Sequence, residues 1–394
     1  MLFRSIPYVN RGIKNASVYY SVDGIQYEEL KTNGYPFQFA KADGSERLQA
    51  TNLTGGGVVD FAGAAARYVK IVPNPSPEDG NWGGATGDEA VFGLSQVRFY
   101  TKDGELLRYV EAEADSEYAK APAGQWYWLQ DGVALGDHYY LFPIRMEQDP
   151  LQPPGFQFRT TGVAMAKLPK NAGAPDLAGM AQTDTPLFYS ASVSDGTGRQ
   201  LPFSITYGAG ILPNIAAAGA AEPDGYIYVY GYRDFGAQRL LVVARAPEDR
   251  FEAFNEWRFW AGPQRGWSRH IEDSAPIFTG ANVSPELSVS RMHGGPLDGQ
   301  YVLVFEKDTL SGDLAYSAAA SPAGPFGDPV LFYHAPEPGE NPKTFTYNAK
   351  AHPHLSDPGE LLVTYNVNAS DFQEHYNDGT IYRPRWLRLR WIAE

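Results

Sequence analysis

Two acidic residues stand where their surroundings give them chemical interest. Glu286 follows Ser284-Pro285 and leads straight into Leu287-Ser288-Val289-Ser290, so a charged group enters a strand otherwise destined for a core. Burial there disfavours the charged form and raises the pKa, as a general acid requires. The plainer reading is an exposed Glu at a strand start. Asp131 precedes Gly132, and Asp-Gly is an ordinary turn that recurs at Asp23-Gly24, Asp195-Gly196 and Asp298-Gly299, among others. Asp131 differs because the hairpin turn after it falls at Gly136-Asp137, leaving Asp131 at the inner end of its strand. A carboxylate there could partner Glu286, as base or as a second acid that tunes the first.

Other side chains suit recognition. His352 and His354, two apart on one strand face, could bond to hydroxyls or ligate a metal with a third group; structural histidines fixed by backbone fit the same spacing. Trp126, Tyr127 and Trp128 lie just ahead of Asp131 and offer flat faces to CH-rich sugar rings, although packing between sheets is the commoner use of such a Trp. Asn214, Arg233, Arg291 and Asn348 fall near the ends of the same strands and could donate to hydroxyls. With no Cys, thiol nucleophiles, iron–sulfur clusters, Cys-ligated zinc and disulfides are all excluded. No Gly-x-Ser-x-Gly elbow, P-loop or Gly-x-Gly-x-x-Gly is present.

The elements that must position these residues are strands. The 394 residues carry 41 Gly and 30 Pro, 14% aromatic and only 20% charged residues, a mixture that suits a turn-dense all-β chain with carbohydrate-friendly surfaces. A net charge of −14 argues against a phosphate-tracking nucleic-acid binder and against an anionic membrane surface. No apolar run approaches the roughly 18 residues of a transmembrane helix. The start, Met1-Leu2-Phe3-Arg4-Ser5, shows no basic region followed by an apolar one, so no signal peptide is visible. From Trp126 onward four segments repeat one order, a small-residue approach, a Gly-containing turn and an alternating aromatic–aliphatic run. They occupy residues 130–146, 213–233, 284–307 and 348–368, with starts 83, 71 and 64 apart. That period fits one four-stranded propeller blade with its loops. Helical periodicity shows only briefly, around residues 249–260.

Two resemblances follow. YSVDGIQYEEL, FQFAKADG, VVDFAGAAARYVKIVP, NWGG at 81–84 and FGLSQVRFY at 92–100 resemble the C-terminal part of a discoidin (coagulation factor 5/8 type C) domain, a jelly roll used by carbohydrate-binding modules. Met1 falls where the middle of such a domain belongs, so this resemblance implies a module that is truncated, permuted or reduced. The repeat resembles the five-bladed propeller glycosidases of family 43 and related propellers of unknown function, some of which degrade arabinans. Asp131-Gly132, Ser284-Pro285-Glu286, ASPAGPF at 320–326, YNAKAHPH at 347–354 and YNVN at 365–368 carry that likeness.

The resemblances imply a discoidin-like module over residues 1–101, a linker over 102–125 and a five-bladed-type propeller over 126–394 with four blades evident. The absent blade lies upstream, making Asp131 a second acid, or strands before Trp126, including residues 108–113, complete the ring. The function implied is glycoside hydrolysis of a polysaccharide, an arabinan or another furanosidic glycan, by two carboxyl groups, one protonating the leaving group and one activating water or attacking. Glu286 and Asp131 are the catalytic choices; Trp128, Asn214, Arg233, Arg291, Asn348, His352 and His354 are the substrate-binding ones. No cofactor or catalytic metal is expected, with structural Ca2+ left open. A monomer, secreted or at the cell surface, with no nucleic-acid or membrane partner, is expected. The competing reading is a non-catalytic glycan-binding or adhesion protein; a lyase is the third.

Overall fold

The computed structural model describes residues 12–32, 34–39, 41, 58–84, 96–103, 106–111, 121–122, 124–152, 156–171, 173–194, 196–371 and 373–391. It divides into two compact units, Met1–Glu117 and Tyr118–Glu394.

In the first unit, β1 (Asn15–Ser21) is flanked by β2 (Glu28–Glu29) and β3 (Phe37–Gln38) on one edge and by β4 (Tyr68–Pro73) on the other, all antiparallel. The alternation that marks NASVYYS as a half-buried strand sends Val18 inward, where it meets Leu30 and Phe37 with Val69 and Ile71 against them. Asp23-Gly24 forms the turn after β1, with the Asp23 carboxylate accepting the Ile25 and Gln26 N–H groups. β5 (Gln96–Tyr100) and β6 (Leu106–Glu111) form a hairpin. Of residues 108–113, which offered one way to complete a ring in the second unit, 108–111 pair with β5 within the first; 112 and 113 lie outside the described residues.

The second unit is a succession of antiparallel sheets. The first holds β7 (Gln125–Trp128), β8 (Gly132–Leu135), β9 (His138–Leu141), β10 (Ile144–Gln148), β11 (Phe158–Asn171), β12 (Ala174–Pro175) and β13 (Ala181–Asp184), the long β11 pairing with β10 by its first half and β9 by its second. The second runs in order through β14 (Phe188–Ser194), β15 (Gln200–Asn214), β16 (Tyr226–Phe235), β17 (Gln238–Pro247), β18 (Arg258–Trp260) and β19 (Trp267–Ser268). The third holds β20 (Leu287–Arg291), β21 (Tyr301–Glu306), β22 (Asp313–Ala319) and β23 (Val330–His334); the fourth, β24 (Thr344–Ala351), β25 (Glu360–Ala369) and β26 (Pro384–Arg390). The four repeat segments coincide with β8–β10, the end of β15 with β16, β20–β21, and the end of β24 with β25.

Successive sheets bury one another's faces. Phe142, Ile144 and Met165 of the first meet Ile205, Tyr207, Ile227 and Trp257 of the second. Tyr228, Tyr230 and Leu241 of the second meet Leu287, Leu303 and Phe305 of the third, and Val302 and Val304 meet Leu361, Val363 and Tyr365 of the fourth. At the sheet ends β15 lies between β8 and β20, and β20 packs against β24. The fold is all-β: among the described residues, α-helix is limited to the single turns α1 (Pro77–Gly80), α2 (Glu337–Glu340) and α3 (Glu374–Asn377). The helical periodicity near 249–260 resolves into two 3-10 turns, Glu248–Arg250 and Phe254–Glu256, ahead of β18, which seat Phe251 and Trp257 in the core. Among the described residues no helix is long and apolar enough to cross a membrane.

Two of the central strands carry bulges. β15 shifts register against β16 between Tyr207 and Gly210, with Gly208 at φ +112°. Gly231 faces this bulge so closely that a Cβ would lie 2.0 Å from the Thr206 carbonyl oxygen. β24 shifts against β25 between Tyr347 and Lys350, with Asn348 at φ +60°, the left-handed region that Asn tolerates better than most residues. A bulge re-aims the backbone groups beside it, and both acidic candidates sit against one.

Candidate active site

Asp131 stands one residue before β8 and is held by the β15 bulge. Its N–H donates to the Gly208 carbonyl (3.1 Å), its carbonyl accepts the Phe142 N–H (3.1 Å), Oδ1 accepts the Gly132 N–H (2.9 Å) and Oδ2 accepts the Ile211 N–H (2.8 Å). The carboxylate is therefore fixed by backbone on both oxygens. Lys350, from the second half of β24, brings Nζ to 3.6 Å from Asp131 Oδ2.

Glu286 stands one residue before β20. The β20–β21 register pairs Leu287 with Phe305, and one further step sets Glu286 opposite Glu306. Ser284 ties these two positions together, donating its hydroxyl to the Glu286 carbonyl and accepting the Glu306 N–H (3.1 Å). The Glu286 side chain is half-buried, with Oε2 closed to solvent and without a hydrogen-bond partner. Burial pushes its carboxyl above the usual range; its own N–H, the charges of Lys350 and Arg239 and the Asn348 N–H oppose that shift without cancelling it. A carboxyl in this state keeps its proton to higher pH than a solvated one.

The strands that hold these groups connect through contacts at their ends. Asp131 rests on Gly208 and Ile211 of β15, and Gly210 lies flat against Leu287 and Ser288 of β20, where a Cβ would meet the Leu287 carbonyl at 3.2 Å. The Ser288 hydroxyl accepts the Ala351 N–H of β24 (2.8 Å), and the neighbouring Lys350 returns to Asp131. Lys350 thus acts on both acids, by direct contact with Asp131 and through its charge on Glu286.

Glu306 and Lys350 were missed from the sequence. Glu306 is wholly buried at the end of a strand in which every residue is buried. Its Oε1 accepts the Gly312 N–H (2.9 Å) and the Thr346 hydroxyl (2.7 Å), while Oε2 is unpartnered. Burial pushes its carboxyl up to about 8, with the charge of Glu286 adding to the rise. The signal was legible: Glu306 closes the apolar run Tyr301-Val-Leu-Val-Phe305, the same irregularity that singled out Glu286. Lys350 lies two residues before His352, on a segment already noted.

The proposed binding residues divide. Asn348 is at the β24 bulge with its N–H toward Glu286. His352 bonds through Nε2 to the Thr364 hydroxyl (2.7 Å) and packs beside His354 and Trp386. Burial and the charges of His354 and Lys350 lower its pKa, and Asp131 opposes them. His354 itself is exposed in the 3-10 turn Pro353–Leu355. Trp128, 40% exposed, stands edge-on to Phe158 with ring centres 4.6 Å apart.

Three residues do not join this group. Asn214 is buried at the C-terminal end of β15, six residues beyond Gly208, where its carbonyl accepts the Asp224 and Gly225 N–H groups. Arg291 closes β20 at the end away from Glu286, bonds Glu222 (2.8 Å) and lines a cavity of about 210 Å³ with Met292, His293 and Leu361. Arg233 follows Tyr232 on β16, so strand alternation sends it to the other face, over the Phe203 ring and onto the Ser274 carbonyl (3.3 Å). Among the described residues, no group of three or more His, Asp or Glu is placed to hold a metal ion.

These strands and acids lie within a domain class whose family is shown by sequence. The model of the family described as "Domain of unknown function (DUF5005)" matches residues 99–391, and the chain belongs to that family. No curated protein matches it. Among solved structures, the chain is similar to a "putative hydrolase" from Bacteroides ovatus ATCC 8483 at 20% identity and a TM-score of 0.48, over 67% of this chain and 61% of that one. It therefore spans less than two thirds of that relative. It is also similar to an alpha-L-arabinofuranosidase from Clostridium thermocellum ATCC 27405, at 12% identity and a TM-score of 0.28 over 68% and 90% of the two chains. Similarity to the GH43_1 enzyme from Xanthomonas citri is comparable, at 11% and 0.27 over 68% and 89%.

Proposed function

We propose that the chain is a glycoside hydrolase acting on a polysaccharide with Glu286 as general acid and Asp131 as its carboxylate partner. The observation that carries this reading is the pair of unlike carboxyls around Lys350: one with an oxygen closed from water and raised by burial, one held by two backbone N–H groups and an ion pair. Glycosidic cleavage needs such a division, a protonated carboxyl at the leaving oxygen and an ionised one toward water or the anomeric carbon. On this reading Glu286 gives its proton to the departing sugar oxygen. Asp131, fixed in orientation by the β15 bulge, directs water or attacks on the other side of the ring. The chemistry needs no cofactor. His352 and Asn348 border the bound sugar, and Trp128 stacks on a residue of the same glycan farther from the bond being cleaved. The sheets of the second unit are read as propeller blades and the first unit as a discoidin-like glycan-binding module. A secreted or cell-surface monomer and an arabinan or other furanosidic substrate complete the proposal.

The test is release of reducing ends from a panel of plant and bacterial cell-wall glycans, with binding measured alongside. Glu286→Gln and Asp131→Asn should each lower turnover at least about 10²-fold while binding stays near that of the parent chain. Retained binding with no hydrolysis by the parent chain would instead establish a non-catalytic glycan-binding protein.

A further inference from the structure

A row of aromatic rings reaches from the surface of the first sheet to the β24 bulge. Trp128 meets Phe158 with ring centres 4.6 Å apart, Phe158 meets Phe156 at 6.1 Å, Phe156 meets Phe345 of β24 at 5.7 Å and Phe345 meets Tyr347 at 6.1 Å. Tyr347 directly precedes Asn348, whose N–H faces Glu286, and Lys350 follows on the same strand. Trp128 is exposed, and Phe156, Phe158, Phe345 and Tyr347 are each only partly buried. β24 is sided: Thr344, Thr346, Ala349 and Ala351 are buried, whereas Phe345, Tyr347 and Lys350 keep solvent contact. Had the rings served only to join two sheets, they would be expected to close off from water as Phe142, Phe251 and Trp257 do in the neighbouring core.

We infer that Trp128, Phe158, Phe156, Phe345 and Tyr347 form a track that holds several consecutive residues of a neutral polysaccharide chain leading to the Glu286–Asp131 site. This rests on the proposed function for the direction of the track, and its substrate class follows from three features. Ring faces and edges take the CH surfaces of sugars, each step along the row is of the order of one sugar residue, and the row ends at Tyr347, next to Asn348 whose N–H faces Glu286. The net charge of −14 disfavours association with a polyuronate or sulfated glycan, which leaves a neutral chain as the substrate class. A substrate spanning the row engages it remotely from the bond being cleaved, so the advantage of the track grows with chain length.

The experiment compares the parent chain with Trp128→Ala, Phe156→Ala and the conservative Trp128→Phe, after confirming cooperative melting of each. Affinity electrophoresis through gels containing linear arabinan, arabinoxylan, galactan or glucomannan reads binding without catalysis, with polygalacturonate as the acidic comparison. Retardation by at least one neutral polymer and not by polygalacturonate, reduced at least tenfold by either Ala substitution and restored toward the parent value by Trp128→Phe, supports the track. The same pattern with no hydrolysis by the parent chain keeps the track and removes the hydrolase. Where hydrolysis occurs, the ratio of kcat/KM on the polymer to that on its trisaccharide should fall at least tenfold in the Ala variants. Unchanged retardation in folded Ala variants, retardation by polygalacturonate alone, or no retardation by any of these polymers overturns the inference.

Discussion

The carboxyl of Glu306 sits opposite Glu286 with one oxygen bonded twice and the other not at all. Its folded pKa near 8 lies above the ordinary 4.5, so the folded chain holds a proton that the unfolded chain releases between those values. Stability from this group is complete below about pH 4.5 and is lost as pH rises toward 8, at up to about 1.4 kcal/mol per pH unit. Glu306→Gln keeps an acceptor for the Gly312 N–H and removes the titration. Urea melts at pH 5 and pH 7.5 should therefore show a smaller loss of stability for Glu306→Gln than for the parent; equal losses would contradict the assignment. Lys350 holds down the pKa of Glu286 by its charge. In Lys350→Met the alkaline limb of the kcat/KM profile should move to higher pH, since the acid keeps its proton longer; a limb that stays or moves down would remove Glu286 as the titrating acid.

At the scale of elements, the bulges set where the acids go. Gly231 leaves room for the Thr206 carbonyl, and the β15 bulge beside it presents Gly208 and Ile211 to Asp131. Gly231→Ala should destabilise by about 2 kcal/mol or more, because backbone must shift to admit one methyl. Gly219→Ala, in open space at φ +73°, should cost only about 1 kcal/mol. Denaturant midpoints of the two variants give the comparison, and similar costs at both sites would argue against a strained bulge. The strands of the repeat were legible because their periods are plain: YVLVFE and ELLVTYNVN fall in the alternating runs of residues 284–307 and 348–368 and are strands. So was Asp131 at the free end of β8, since the Gly136-Asp137 turn forms as expected. Which end of a strand faces the acids was not legible. Asn214 and Arg291 close β15 and β20 beyond the residues that meet the acids, and Arg233 faces away, because neither strand direction nor side-chain alternation can be anchored until neighbouring sheets are stacked. Lys350 escaped notice for the same reason: its partner Asp131 is more than two hundred residues away in sequence and meets it only through the packing of β8, β15, β20 and β24.

Across the whole molecule, the core of the described residues is built mainly by the stacked sheets of Tyr118–Glu394, whereas among the described residues of Met1–Glu117 a separate core gathers around Val18, Leu30 and Phe37. Each unit has its own core, so a chain of residues 118–394 should unfold cooperatively by itself, with a melting temperature close to the matching transition of the full chain. Calorimetry of both forms checks this, and a fragment lacking a cooperative transition would show that the second unit depends on the first. All the groups of the proposed chemistry lie in this second unit, so its hydrolysis of short soluble glycans should survive the removal.

The most direct measurement is a crystal structure of the Glu286→Gln chain with an oligosaccharide drawn from whichever glycan the parent cleaves. The account predicts a sugar ring between positions 286 and 131, its bridging oxygen within hydrogen-bond reach of the side chain at 286 and the Asp131 carboxylate across the ring beside the anomeric carbon. A sugar bound only elsewhere, with both acids left out of contact, would contradict it.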